Sequence, residues 1–260
     1  MQTFALDGRF SDVSRFNVAR QIREALTRGG MSYSEDHPDL VICLGGDGSL
    51  LRSCNSRGYA GDFMLLNGGT LGYLSDFRLN EWERAVYAIL NQEPSYETHR
   101  PLVVEDRNGH HLYAANDVSL IAPVRAINYE IYIDNEKLAD VQGSGFVAST
   151  ALGSTAFGMS LGGPVLFTQD EVFSLTLVAP VRNRTTHPSF SSGVFKSTAV
   201  VKVRLEQNSK LYRIGVDGID SPIIGGHEIF VYLSKTKEFR IVHYRDRSKV
   251  RRVSQAFGLS

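Results

Sequence analysis

The hydrophobic pattern of this chain changes period once, near Gln92-Glu93-Pro94. Before that point, short apolar runs alternate with stretches of helical spacing. Val41–Leu44 is apolar throughout and predicts a strand buried on both faces, the habit of a parallel sheet. Thr3–Leu6 and Phe63–Leu66 predict further strands. Ser11 or Asp12 caps a predicted helix with Val13, Phe16, Ala19, Ile22 and Leu26 on one face, stopped by Gly29-Gly30. Ser49 is the expected cap of a second helix, with Leu50, Leu51 and Cys54 at helical spacing. Asn80 with Glu83 makes a capping box for a third, bearing Trp82, Val86, Ile89 and Leu90. Strand alternating with helix predicts a doubly wound α/β domain over residues 1–95.

After Pro94 the pattern becomes strand-like, rich in Val, Ile, Tyr and Phe. Leu102–Glu105, Leu112–Ala115, Asn128–Ile133, Val200–Leu205, Leu211–Val216, Ile229–Leu233 and Phe239–His243 predict strands. Asp106-Arg107-Asn108-Gly109 reads as a turn, and Asp134-Asn135 as the tip of a hairpin. Residues 96–244 are therefore expected to form an all-β second domain, a sandwich, with the tail 245–260 packing back on the first domain. One helix-compatible run, Thr155–Leu161, interrupts it between glycines.

Composition narrows the function classes. Lys and Arg total 28 and Asp and Glu total 28, so the formal charge is zero, which argues against a delocalised basic face for nucleic acid or anionic membrane. The dense basic cluster Arg245, Arg247, Lys249, Arg251 and Arg252 reads as a solvated helix or tail. The two cysteines, Cys43 and Cys54, fall on a predicted strand and helix and read as core residues of a reducing compartment. No apolar run reaches a membrane span, and the N-terminus lacks the basic and apolar regions of a signal peptide. A cytoplasmic protein is expected.

Candidate chemistry starts at the end of the Val41–Leu44 strand. Gly45, Gly46 and Gly48 surround Asp47, and a helix follows. Free amides and the positive end of a helix dipole suit a phosphate. A carboxylate among them would repel that phosphate, so Asp47 needs a chemical task, as base toward a hydroxyl or as partner of a magnesium ion. A tight turn would explain the glycines alone. No Walker lysine follows, and no G-x-G-x-x-G is present. Asn67-Gly68-Gly69-Thr70-Leu71-Gly72-Tyr73-Leu74 is a second glycine-rich loop. Asn116-Asp117 is an Asx turn or a pair that hydrogen-bonds a ribose diol. In Gly153-Ser154-Thr155-Ala156-Phe157 the small residues either cap a helix or let a flat ring lie against the backbone. Asp217-Gly218 alone reads as a turn.

Taken together and in this order, these stretches resemble the NAD kinases, with Ser160 and Gly162-Gly163-Pro164 completing the third. The resemblance covers residues 39–220 and is closest to the short bacterial members. Gly-Gly-Asp-Gly is shared with lipid kinases of the diacylglycerol type and with phosphofructokinases. The Gly153–Pro164 pattern is far more specific. The resemblance implies a Rossmann-like α/β domain followed by a β-sandwich. It also implies ATP or another phosphoryl donor with Mg2+, NAD as acceptor, and a homodimer or homotetramer. No residue is assigned as a dedicated metal ligand. Asp47 would be the base at the 2′-hydroxyl of NAD's adenosine ribose, with Gly45, Gly46 and Gly48 making room for phosphates. Asn67 and Tyr73 would serve the nucleotide from the second loop. Asn116 and Asp117 would hold ribose and base edges, and Thr155, Ala156, Phe157 and Ser160 the adenine pocket. Asp217 would belong to the polar wall. Ser144 joins the binding set, although relatives carry Arg-x-Asp-Gly where this chain has Gln142-Gly143-Ser144-Gly145. Thr150-Ala151 replaces Thr-Pro, and Phe157 replaces a tyrosine. Two alternatives remain open: a lipid or sugar kinase sharing the first loop, and a non-catalytic NAD(P) sensor.

Overall fold

A computed structural model describes residues 1–8, 13–70, 72–168, 171–182, 190–206, 212–221, 226–245 and 248–258. The chain divides into two units, Met1–His99 with Lys237–Ser260, and Arg100–Thr236.

The first unit begins with β1 (Thr3–Gly8), α1 (Val13–Arg28), β2 (Ser32–Tyr33), β3 (Leu40–Gly45) and α2 (Asp47–Ser56). It continues with β4 (Asp62–Asn67), β5 (Phe77–Arg78), α3 (Trp82–Asn91) and β6 (Ser95–His99). The second unit holds β7 (Leu102–Asp106), β8 (His111–Ala114), β9 (Asp117–Ile121), β10 (Ile127–Ile133), β11 (Glu136–Gly143) and β12 (Gly145–Thr150). A single turn of helix, α4 (Phe157–Ser160), precedes β13 (Val172–Val178), β14 (Ser192–Lys196), β15 (Val201–Leu205), β16 (Arg213–Val216), β17 (Ile219–Asp220) and β18 (Glu228–Leu233). The chain then returns to the first unit with β19 (Phe239–His243) and α5 (Lys249–Phe257).

The first unit's sheet has the order β2-β1-β3-β4-β19-β6, with β5 beside β4. Among the described residues, every pairing is parallel except that of β6 with β19. Central parallel strands are covered on both faces, which is why β3 and β4 are buried at every residue. The strand Phe239–His243, expected in the β-rich part, lies here instead. Its Phe239 ring packs among Tyr59, Phe63 and His99, and Arg240 pairs with Asp62 at 2.6 Å. Helix α1 buries Ala19, Ile22 and Leu26 as expected, but Val13 and Phe16 are exposed. Its predicted caps Ser11 and Asp12 lie outside the described residues, as do Arg247 of the basic cluster and Leu211 of a predicted strand. The capping interaction ahead of α3 falls earlier than expected: the Arg78 N–H donates to Glu81 at 2.9 Å.

Among the described residues, the second unit is a sandwich of two six-stranded antiparallel sheets, β11-β10-β15-β18-β7-β8 and β14-β13-β12-β9-β16-β17. Inward residues of both sheets, among them Val104, Tyr129, Val203, Phe146, Phe173 and Leu175, form one core. The Asp134-Asn135 tip joins β10 to β11 with both residues at positive φ, 49° and 72°, as a primed hairpin turn requires. Three strands that apolar patterning passed over, β9, β12 and β13, carry buried polar residues: Asp117, Ser149, Ser174 and Thr176.

Candidate functional site

In the first unit, β3 ends at Gly45, Gly46 is extended (φ −94°, ψ −178°), and α2 starts at Asp47. Ser49 is therefore inside the helix rather than its cap, its N–H donating to the Gly46 carbonyl at 2.8 Å. None of Gly45, Gly46 and Gly48 takes a positive φ. Space is required at Gly45, where a Cβ would fall on the Ser49 hydroxyl; a Cβ on Gly46 would meet nothing within 4 Å and one on Gly48 only Arg52 at 3.6 Å. Asp47, half-buried in the helix's first turn, accepts the N–H groups of Tyr73 at 3.1 Å and Leu74 at 2.9 Å. The helix dipole favours a negative charge there. A carboxylate has about four acceptor positions, so roughly two stay available to a ligand.

That pair of bonds ties the first glycine loop to the second. Asn67 braces the second loop from within: its Oδ1 accepts the Gly69 N–H at 2.8 Å and its Nδ2 donates to the Gly69 carbonyl at 3.2 Å. Gly72, at φ +59°, lies against the Asn67 amide where a side chain would collide. Leu71 is outside the described residues. A cavity of about 360 Å³ is lined by Asn67, Thr70, Tyr73, Arg78, Arg245 and Arg252, among others, but not by Asp47 or its neighbouring glycines.

The basic cluster departs from the solvated tail expected of it. Arg252 is 7% exposed, donates to Glu97 at 2.7 Å and lies 5.4 Å from the Tyr73 ring. Arg245 donates to the Asp76 carbonyl at 2.7 Å and to Glu81 at 3.2 Å. Desolvation lowers the Lys249 pKa to about 8. Burial works against the charged form of His243, but the hydrogen bond of Nδ1 to Asp76 and the approach of Nε2 to Glu97 at 3.4 Å outweigh it and raise the pKa to about 9. In α5, Lys249, Arg252 and Val253 fall on one helical face; that spacing was the available signal, masked by the charges.

In the second unit, Asn116-Asp117 joins β8 to β9 and is held from three sides. The Thr150 hydroxyl donates to the Ala115 carbonyl at 2.6 Å, and the Thr150 N–H to that of Asn116 at 2.9 Å. Gly153 lies so close that a Cβ there would overlap the Asn116 main chain. Asp217, at φ +48° in the turn from β16 to β17, accepts the N–H groups of Ala115, Asn116 and Asp117 at 2.8, 2.7 and 3.2 Å. Burial, helped by the Asp217 charge, raises the Asp117 pKa to about 6, against a lowering hydrogen bond from the Phe157 backbone.

A cavity of about 440 Å³ has Asn116, Asp117, Ala156, Phe157 and Asp217 in its wall, five of the residues picked out from the sequence. Ser144, Thr155 and Ser160 are not in it. Ser144 sits at the junction of β11 and β12, its N–H on the Val178 carbonyl at 2.9 Å, and the Ser160 hydroxyl donates to the Phe157 carbonyl at 2.7 Å. The expected helix Thr155–Leu161 is a 3₁₀ turn, Gly153–Thr155, followed by the single turn α4. Sequence reasoning missed Arg213 and Asp220, which pair at 3.1 Å in the same wall. Their opposite charges flanking Asp217-Gly218 were the only hint. Among the described residues, no group of three or more His, Cys, Asp or Glu is placed to hold a metal ion, and no helix is long and apolar enough to cross a membrane.

Residues 115–243 match the family description ATP-NAD kinase C-terminal domain. The NAD kinase of Clostridium beijerinckii is 29% identical over 208 residues, 77% of this chain and 71% of that protein. The NAD kinase of Latilactobacillus sakei is 33% identical over 175 residues, 64% of this chain and 65% of that protein. Among solved structures, yeast NADH kinase complexed with NADH aligns over 100% of this chain and 88% of its own, with a TM-score of 0.83 at 17% identity. An NAD kinase from Archaeoglobus fulgidus in complex with ATP aligns over 96% of both chains, with a TM-score of 0.76 at 20% identity. These two likenesses concern the fold.

Proposed function

The chain belongs to the NAD kinase family, and we propose that it phosphorylates the 2′-hydroxyl of NAD's adenosine ribose with ATP, giving NADP. The observation that carries this reading is the matched stretch 115–243. It contains Asn116-Asp117 and the Gly153–Pro164 pattern, which a Gly-Gly-Asp-Gly loop alone left unexplained. A lipid or sugar kinase finds no such support.

In this reading the first unit handles the phosphoryl group. Asp47 is a fixed, half-exposed carboxylate at the start of α2 with acceptor capacity in reserve, and it takes the hydroxyl proton as that oxygen attacks the terminal phosphorus. The proton moves to a carboxylate oxygen, and the bond from phosphorus to the leaving diphosphate oxygen breaks. Gly45, Gly46 and Gly48 leave the main chain open to phosphate oxygens, and Asn67 keeps the second loop, with Tyr73, in shape. Asp47 also suits Mg2+ carried in by ATP, because such an ion takes most of its ligands from phosphate and water. Held there, the ion would neutralise phosphate charge. The second unit recognises NAD: Asn116 and Asp117 offer an amide and a carboxyl to a ribose diol, and Ala156 and Phe157 offer apolar surface to a flat ring. Thr155, Ser160 and Ser144 belong to the proposed binding set only by resemblance, as do the cytoplasmic location and assembly as a homodimer or homotetramer.

An acceptor panel tests the proposal. Purified protein with ATP and Mg2+ is offered NAD, NADH, diacylglycerol and a hexose in parallel. Phosphorylation of NAD or NADH supports the reading; phosphorylation of the lipid or sugar alone would replace it. Tight NAD binding without product would make the protein a sensor.

A further inference from the structure

We propose that Asp217 is a positioning residue: its carboxylate fixes the main chain of Asn116-Asp117 for the ribose instead of contacting the ligand as part of a polar wall. The inference rests on the NAD-binding role given above to that loop.

The geometry is reciprocal. Asp217 accepts three consecutive amides, Ala115, Asn116 and Asp117, and returns its own N–H to the Asp117 carbonyl at 3.0 Å. Charge-assisted bonds of this kind are roughly twice as strong as neutral ones. Asp217 reaches the loop from a left-handed conformation, φ +48°, followed by Gly218 at φ +76°. Such backbone is uncommon outside glycine and persists where surrounding contacts hold it. The hairpin tip thus works as a clamp on a loop 100 to 102 residues earlier in the chain.

The clamp also sets the charge beside the loop. Asp117 lies beside the Asp217 charge, Arg213 and Asp220 from the same hairpin share the cavity wall, and the Phe157 N–H donates to the Asp117 carboxylate. Burial and the Asp217 charge raise the Asp117 pKa to about 6, so its charge-assisted acceptance of a ribose hydroxyl weakens to that of a neutral carboxyl as pH falls through that value. Removing the Asp217 charge moves that limb to lower pH.

The test uses full-length protein and three variants, Asp217→Asn, Asp217→Glu and Asp220→Asn. Hydrogen exchange reports the amides of Ala115–Asp117, and calorimetry reports NAD affinity from pH 5 to 8. Asp217→Asn is expected to speed exchange at these amides by about tenfold or more and to weaken NAD by about tenfold. It also shifts the acid limb of affinity downward. Asp217→Glu retains the charge but displaces it, so exchange accelerates while the limb stays near pH 6. Asp220→Asn leaves the exchange of these amides as in wild type. Weaker NAD binding with wild-type exchange in Asp217→Asn would make Asp217 a ligand contact and overturn the proposal. An acid limb that does not move in Asp217→Asn would overturn its electrostatic part. If wild type binds no NAD at all, the functional reading fails, and the exchange result still decides whether the clamp exists.

Discussion

Replacing His243 with glutamine removes the imidazole from a buried bridge between Asp76 and Glu97. His243 is 9% exposed, with Nδ1 3.0 Å from Asp76 and Nε2 3.4 Å from Glu97. Its folded pKa of about 9 lies above the ordinary 6.5. A raised pKa means that the folded chain holds the proton more tightly. The stabilisation is therefore fully present below about pH 6.5 and disappears as pH rises through about 9. At about 1.36 kcal/mol per pK unit, this shift corresponds to roughly 3 kcal/mol. His99, which burial holds near pKa 4, and Lys249, near 8, give slopes of the opposite sign. The quantity to read is therefore the difference between wild type and variant. Urea unfolding followed by Trp82, the single tryptophan and part of α3 in the first unit, measures it. The deficit of His243→Gln is expected to be about 3 kcal/mol larger at pH 6 than at about pH 9.5. A deficit that is equal at both values, or larger at the alkaline one, would refute the bridge.

Gly153→Ala drives a methyl group into the Asn116 main chain. Calorimetric melting is expected to show a loss of about 1–3 kcal/mol, and titration with NAD a weaker affinity. Unchanged melting and affinity would mean the close approach is relieved at no cost. Asp47→Asn retains an acceptor for the second loop but not the base. Turnover is expected to fall by about 10²–10⁴ while NAD still binds. Initial rates and equilibrium binding on the same preparation separate the two effects.

Much of the fold could be read from apolar spacing. Val41–Leu44 and Phe63–Leu66 are uniformly apolar because parallel central strands have no wet face, and they became β3 and β4. Spacing failed where burial was polar. Asp117, Ser149, Ser174 and Thr176 interrupt the apolar runs of β9, β12 and β13, yet their strands lie inside the sandwich. It also failed where a short run could join either sheet: nothing local in Phe239–His243 says that it completes the first unit. At the candidate site, residue types pointed to Asp47 and, beside an Asx turn, to Asn116 and Asp117, while Asp217 entered through the family resemblance. The partners that fix them are main-chain amides, at Tyr73 and Leu74 for Asp47 and at Ala115–Asp117 for Asp217, and amides leave no mark in a sequence. Arg252 was hidden for another reason. One arginine among several in a basic tail looks solvated until its partner, Glu97, is seen beside it.

The central claim is that this chain places a phosphate on the 2′-hydroxyl of NAD. Purified protein incubated with NAD, Mg2+ and ATP labelled at the terminal phosphate tests it directly, the product being read with a dehydrogenase that accepts NADP but not NAD. The account predicts label in a dinucleotide that the dehydrogenase reduces, formed in proportion to enzyme and nearly absent with Asp47→Asn. Label that stays in ATP and free phosphate while NAD remains unmodified would contradict it.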